Sequence, residues 1–268
     1  MKSERPLSRV AIATLGCKVN QYESAGIGEA LARSGHALVP FSETADCYII
    51  NTCTVTARTN YQSRQIIRQA IRKNPEALIV VTGCYAQTAP DEIAEIPGVS
   101  LIAGHGEKDR IPDLLGSLEK NGREIRVGDI SPVRPFASLP VSRFQDHTRA
   151  FLKIQDGCNA WCRYCIIPSA RGRSRSLSQD GVLEQLNLLG RAGYREAVLT
   201  GIHLGAYGQD LSPETSLVDL LKRIERERPL ERLRLSSIEP TEISDDLISL
   251  LRKSSLICPH LHIPLQSG

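Results

Sequence analysis

The sequence predicts an α/β protein in two parts, an open parallel-sheet domain over residues 1–125 and a partial β/α barrel over 149–268. Three observations predict it. Short apolar runs alternate with segments of helical period in both halves, the pattern of a parallel sheet flanked by helices. Between the halves, residues 126–148 hold Pro132, Pro135 and Pro140 and no long periodic run, so they read as a linker. The second alternation opens with a strand that runs into Asp156-Gly157-Cys158.

In the first half, residues 9–15 (RVAIATL) are strand-like and end at Gly16-Cys17. Asn20 is the expected cap of a helix running to about Ser34, with Gly35 as its stop. Residues 47–51 (CYIIN) form a second strand, followed by Thr52 and Cys53. Helical period from about Ala57 to Lys73 ends at Asn74-Pro75. Residues 77–82 (ALIVVT) are a third strand, followed by Gly83 and Cys84. A short helix, a strand near 99–103 and a helix near 108–120 complete the domain, and 124–127 could add a short strand.

In the second half, strands are expected at 151–155 (FLKIQ), 197–202 (AVLTGI), 233–238 (LRLSSI) and 260–265 (HLHIPL). Helices are expected at 180–191, 216–227 and 245–253. Four strands suit half or more of a barrel. The sequence ends at Gln266-Ser267-Gly268, directly after the fourth strand, so it is expected to be a fragment or a truncated product.

Hydrophobic residues make up 41% and charged residues 24%, the balance of a folded globular chain rather than a disordered one. Aromatics are only 4%, so the core must be aliphatic. No stretch approaches the ~18–20 apolar residues of a membrane span, and the N-terminal apolar run is too broken for a signal peptide. The expected compartment is the cytoplasm, where thiols stay reduced and eight cysteines point to metal or catalysis before disulfides. Cys47 and Cys258 read as ordinary packed cysteines.

Cys17, Cys53 and Cys84 are distant in sequence, yet each lies within two residues of the end of a predicted strand. Right-handed crossovers keep such strands parallel. Ligands of open α/β sheets bind beyond the carboxyl ends of the strands. The three thiols should therefore meet at one edge, with zinc and a fourth ligand still open as an occupant. Cys158, Cys162 and Cys165 have C-x3-C-x2-C spacing in a loop after a strand. Thiolates suit zinc, copper(I) or iron–sulfur clusters, and structural zinc takes four ligands. No fourth cysteine is near, the next being Cys258. A cubane held by three thiolates leaves one iron open for a substrate or cofactor.

That spacing after a strand resembles the radical S-adenosylmethionine enzymes. With LGCKVNQYES, NTCTVT, TGCYAQ, GCNAWCRYCIIPSARGRSRS, LTGIHLGAYGQD, LSSIEPTEI and HLHIPLQSG, nearly the whole sequence resembles the methylthiotransferases among them. LGCKVNQYES is most similar to the branch acting on N6-threonylcarbamoyladenosine at position 37 of tRNA. The resemblance implies a (β/α)6-type barrel and two [4Fe-4S] clusters. Cys158, Cys162 and Cys165 would hold the cluster that binds S-adenosylmethionine, and Cys17, Cys53 and Cys84 an auxiliary cluster carrying the sulfur to be donated. It implies methylation of that sulfur by one S-adenosylmethionine. Reductive cleavage of a second gives a radical that activates C2 of adenine, so an external electron donor and a sulfur source are implied partners. Tyr164, Gly201, His203, Ser237 and Glu239 fall near the expected S-adenosylmethionine site. The family's usual members continue through the rest of a six-stranded barrel and a small RNA-binding β-domain, which this sequence does not contain.

Arg171, Arg173 and Arg175 alternate after the cluster loop, and Arg64, Arg68 and Arg72 recur along one helical face. Both sets are candidate tRNA phosphate contacts, while a solvated basic face is the simpler account of the second. Two other functions compete with tRNA methylthiolation. One is the sister activity on an aspartate of a ribosomal protein. The other is a metal-binding or electron-transfer module without transferase chemistry.

Overall fold

The computed structural model describes residues 9–118, 122–132, 135–136, 139–144 and 147–265. The N-terminal residues 1–8, the expected helix end at Lys120 and the closing residues 266–268 lie outside them. The chain divides into two compact units. The first comprises residues 1–132 and 161–172, the second 133–160 and 173–268. Their boundary at residue 132 falls inside the stretch read as a linker, and the segment carrying Cys162 and Cys165 folds with the first unit.

The first unit is built on six parallel strands in the order β2-β1-β3-β4-β5-β6. These are β1 (Arg9–Thr14), β2 (Ala37–Val39), β3 (Cys47–Thr52), β4 (Leu78–Gly83), β5 (Leu101–Ala103) and β6 (Glu124–Arg126). The central strands β3 and β4 are buried at every position, which is why they read as unbroken apolar runs. Six helices belong with this sheet among the described residues: α1 (Lys18–Arg33), α2 (Ala57–Lys73), α3 (Cys84–Thr88), α4 (Pro90–Ala94), α5 (Ile111–Leu115) and α6 (Ile167–Arg171). α2 is capped by Thr56, whose hydroxyl accepts from the Thr59 amide while Thr59 returns the bond to the Thr56 amide. Ile67 and Ala70 of α2 pack into an aliphatic core with Ile50, Ile79, Val81 and Ile102.

Several expectations are corrected here. Asn20 is not a helix cap: α1 begins at Lys18 with Cys17 as its N-cap, and Asn20 lies buried in the first turn. The strand β2 was not foreseen. The helix expected from Lys108 is a 3-10 turn over His105–Arg110 leading into the short α5.

The second unit carries three parallel strands in the order β11-β10-β7, namely β7 (Ala150–Lys153), β10 (Glu196–Thr200) and β11 (Arg232–Leu235). Its helices are α7 (Gln179–Arg191), α8 (Leu217–Glu227) and α9 (Asp245–Lys253), each opened by a serine hydroxyl accepting a backbone amide. A two-stranded hairpin of β8 (Gln155–Asp156) and β9 (Arg175–Ser176) closes the loop between them. The fourth strand expected at 260–265 is reduced to one isolated parallel bridge, Ser237 with His262, and a second bridge pairs Leu233 with Ile257 just before it. The described residues thus form an open parallel arc and no closed barrel.

Gly83 ends β4 with φ +99, and a Cβ there would lie 2.3 Å from the Thr52 carbonyl oxygen. Only glycine lets the chain turn there from strand into α3. Gly83→Ala should therefore destabilise the protein by more than the ~1–3 kcal/mol of backbone strain alone. Gly193→Ala, at φ +93 with nothing within 4 Å of the new Cβ, should cost only the strain. Urea unfolding of the two variants checks this, and equal midpoints would contradict it.

Candidate functional site: two sets of thiols

The carboxyl ends of β1, β3 and β4 carry Cys17, Cys53 and Cys84. Thr52 and Gly83 are register partners, so Cys53 and Cys84 are each one residue beyond a paired position on neighbouring strands. On the other side, the Leu15 amide donates to the Asn51 carbonyl at 2.9 Å. A Cβ added to Gly16 would lie 2.8 Å from Cys53 Cβ and 2.9 Å from its Sγ. Close approach at that point requires glycine. Cys17 also lies within electrostatic reach of Cys84. The structure brings these three sequence-distant residues to one sheet edge.

One side chain holds that edge together. Asn20 Nδ2 donates to the Leu15 carbonyl at 2.7 Å and to the Thr52 carbonyl at 3.0 Å, joining the peptides that lead into Cys17 and Cys53. Its own carbonyl accepts from Asn51 Nδ2 at 3.0 Å. Its side-chain Oδ1 accepts from Arg171 Nη2 at 2.6 Å. Arg171 also donates to Glu23 at 3.0 Å, and Lys108 bonds the same carboxylate. All four residues are buried. Burial pushes the Cys84 thiol upward, while the charges of Arg171 and Lys108 pull it down.

All eight cysteines are free thiols. Among the described residues, no group of three or more His, Cys, Asp or Glu side chains is disposed to hold a single metal ion. Sulfurs bound to one zinc would lie within roughly 4 Å of each other. A cubane places each thiolate on its own iron and takes wider spacing, so three soft donors at one edge fit a cluster better than zinc.

The second set begins in the second unit with Cys158. Gln155, fully buried, organises its approach. Gln155 Nε2 donates to the carbonyls of Asp156 at 3.1 Å and Gly157 at 2.8 Å and to Ser174 Oγ at 2.9 Å. Its Oε1 accepts from the His203 amide at 2.8 Å. Cys158 Sγ meets His203 Nδ1 at 3.5 Å, and His203 Nε2 meets Glu242 Oε1 at 2.5 Å. The bonds to Cys158 and Glu242 raise the imidazole to about 10, and the bond to His203 lowers the Cys158 thiol. Cys158 is thus held toward the thiolate, the form that ligates metal. Cys162, exposed, and Cys165, half-buried, belong to the first unit, where the Cys165 amide donates to the Cys162 carbonyl at 2.9 Å.

The remaining expected site residues are distributed as follows. A Cβ at Gly201 would lie 2.9 Å from Gln155 Oε1, so the glycine leaves room for that amide. Ser237 Oγ is 2.8 Å from His262 Nδ1. Glu239 opens a 3-10 turn in which its amide donates to Glu242 at 3.1 Å. Tyr164 is 79% exposed. Arg68 and Arg72 are exposed on α2, whereas Arg64 donates to Tyr85 Oη at 2.7 Å. Arg173 is exposed. Two proposed phosphate contacts are corrected. Arg171 is fully buried, so a phosphate cannot reach it, and Arg175 is committed to Asp156 at 3.0 Å across the β8–β9 hairpin. Sequence reasoning missed Glu23, Lys108, Gln155 and Glu242. Glu242 had a readable signal, since it lies three residues beyond Glu239 in the same short motif.

Two family models match the sequence, "Uncharacterized protein family UPF0004" over residues 9–104 and "Radical SAM superfamily" over residues 152–268. The chain is 46% identical over 264 residues to the threonylcarbamoyladenosine tRNA methylthiotransferase MtaB of Bacillus subtilis, covering 98% of this chain and 58% of that protein. It is 38% identical to the protein of the same name from Aquifex aeolicus, covering 97% of this chain and 63% of that protein. The chain therefore spans about three fifths of the length of these curated relatives. Its fold is similar to that of the radical S-adenosylmethionine methyltransferase TsrM from Kitasatospora setae, with a TM-score of 0.62 at 18% identity over 93% of this chain and 57% of that one. At that identity the likeness concerns the fold alone.

Cys47 provides the contrast that tests the site. It is buried on β3, and burial with the neighbouring Asp46 charge raises its thiol to about 12. At pH 8 its thiolate fraction is about one in ten thousand. Iodoacetamide applied to the folded, metal-free protein should label exposed Cys17 and Cys162 and leave Cys47 untouched, as read by peptide mass spectrometry. Labelling of Cys47 at a comparable rate would contradict the assignment.

Proposed function

The chain belongs to the radical S-adenosylmethionine methylthiotransferases, and from that premise we propose that it adds a methylthio group to C2 of N6-threonylcarbamoyladenosine at position 37 of tRNA. The observation that carries the reading is the meeting of Cys17, Cys53 and Cys84 at one sheet edge, in a chain whose second alternation opens with C-x3-C-x2-C spacing. The names of two curated relatives to which the chain is similar support this substrate.

In this reading Cys158, Cys162 and Cys165 hold one [4Fe-4S] cluster, and Cys17, Cys53 and Cys84 hold the other. Together with S-adenosylmethionine these groups supply a radical for an unreactive aromatic C–H position and the sulfur that is inserted. The chain's own residues do the rest. His203, braced by Glu242, orients Cys158 and pulls its thiol down toward the thiolate. Gln155 fixes the peptides on which Cys158 stands. Tyr164, Gly201, Ser237 and Glu239 remain candidate contacts to S-adenosylmethionine.

The proposed RNA contact is α2. It carries Arg58, Arg64, Arg68, Arg72 and Lys73 and no acidic residue, and it starts four residues after Cys53. Arg68 and Arg72 are open to a phosphate, as is Arg173. An external one-electron donor and a sulfur source complete the partners. A reducing cytoplasmic setting suits free thiols, and among the described residues no helix is long and apolar enough to cross a membrane.

Liquid chromatography of tRNA nucleosides tests the reading. A strain lacking the gene should lose the 2-methylthio derivative of threonylcarbamoyladenosine and accumulate its precursor. Complementation with the wild-type gene should restore it, the Cys17→Ala gene should not, and Arg68→Glu/Arg72→Glu should restore it only in part. An unchanged nucleoside profile in the deletion strain would overturn the tRNA assignment.

A further inference from the structure

Among the described residues of the first unit, the buried acidic and basic side chains are Glu23, His105, Lys108 and Arg171. The side chains of Arg171, Lys108 and Glu23 are 0%, 5% and 3% exposed. Arg171 and Lys108 both bond the Glu23 carboxylate; burial pushes the Lys108 ammonium toward its neutral form, and that carboxylate opposes the shift.

The side chains of Arg171 and Lys108 both lie within electrostatic reach of Cys84, on the Cys17–Cys53–Cys84 edge. Arg171 is bonded at 2.6 Å to Asn20, whose amide joins the peptides leading into Cys17 and Cys53. Its Oδ1 accepts from Arg171, so Asn20 must present its NH2 group to the two carbonyls. Arg171 thus fixes which way round this amide sits. It also arrives from a different part of the sequence, at the end of α6, which packs against α3, the helix that begins at Cys84.

We propose that Arg171 is a positioning and charge-compensating residue for the auxiliary cluster: it locks Asn20 in the orientation that holds the Cys17 and Cys53 peptides, and with Lys108 it supplies buried positive charge that stabilises the reduced form. The inference rests on the assignment of that cluster to Cys17, Cys53 and Cys84. An iron–sulfur core on three thiolates is anionic and gains one more negative charge on reduction, so fixed positive charge nearby raises its potential. Replacing Arg171 by an apolar residue removes both the charge and the lock.

The test uses a protein in which Cys158, Cys162 and Cys165 are all replaced by alanine, so that only the other triplet can bind a cluster. After anaerobic reconstitution, redox titration followed by electron paramagnetic resonance gives its midpoint potential. Arg171→Met should lower the reduced-to-oxidised ratio at a fixed potential at least tenfold, a shift of about 59 mV for one electron. Arg171→Lys, which keeps the charge, should recover most of the shift. Retained cluster with an unmoved midpoint in Arg171→Met would overturn the inference. If Arg171→Met does not hold iron, Lys108→Met decides: it removes the other cation and leaves the Asn20 bond, and an unmoved midpoint there would overturn the inference equally. Failure of the background protein with Arg171 intact to bind any cluster would instead overturn the cluster assignment itself.

Discussion

The carboxamide of Asn20 is the constraint on which the first thiol site depends. It is fully buried, so each of its polar atoms must find a partner or cost about 1–3 kcal/mol. It finds them in the Leu15 and Thr52 carbonyls and in Arg171. Those bonds tie together two strand ends that the sheet alone would leave free to splay. Gln155 has the same part in the second unit. It too is fully buried and bonds the carbonyls leading into Cys158 and the amide of His203. Each unit thus sets the backbone around its cysteines with one interior amide, a device that specifies geometry more than it adds stability.

The two sets of thiols are assembled by different physics. Cys158, Cys162 and Cys165 lie within eight positions of one another in sequence. Cys17, Cys53 and Cys84 are neighbours because β1, β3 and β4 are parallel and adjacent, and each strand ends within three residues of its cysteine. A folded sheet is therefore the condition for the second kind of site, and Gly83, where no side chain fits, is among its requirements.

This difference explains what could be read from the sequence. The strand ends were legible because β3 and β4 are continuous apolar runs followed by polar turns, and parallel topology then implied the meeting of the cysteines. The helices α2 and α9 were legible to the residue at both ends, because a capping threonine or serine and a terminal basic residue mark them. Asn20 was misread because a buried asparagine in the first helical turn has the same local sequence as a cap. Arg171 was misread because Arg173 and Arg175 beside it suggest a solvated stripe, while its partner Glu23 lies 148 positions away. The strand expected at residues 260–265 had the right alternation, but only His262 makes a bridge to β11's continuation at Ser237. Periodicity reports which way side chains face, and it cannot report whether a neighbouring ladder is present.

The account turns on two independent iron–sulfur groups, each held by three thiolates. Anaerobic reconstitution with iron and sulfide, followed by counting of both per chain, tests it most directly. About eight irons and eight sulfides are predicted for the intact protein, falling to about four of each when either triplet of cysteines is replaced by alanine. Stoichiometric zinc in place of iron, or an iron content unmoved by loss of Cys17, Cys53 and Cys84 together, would contradict it.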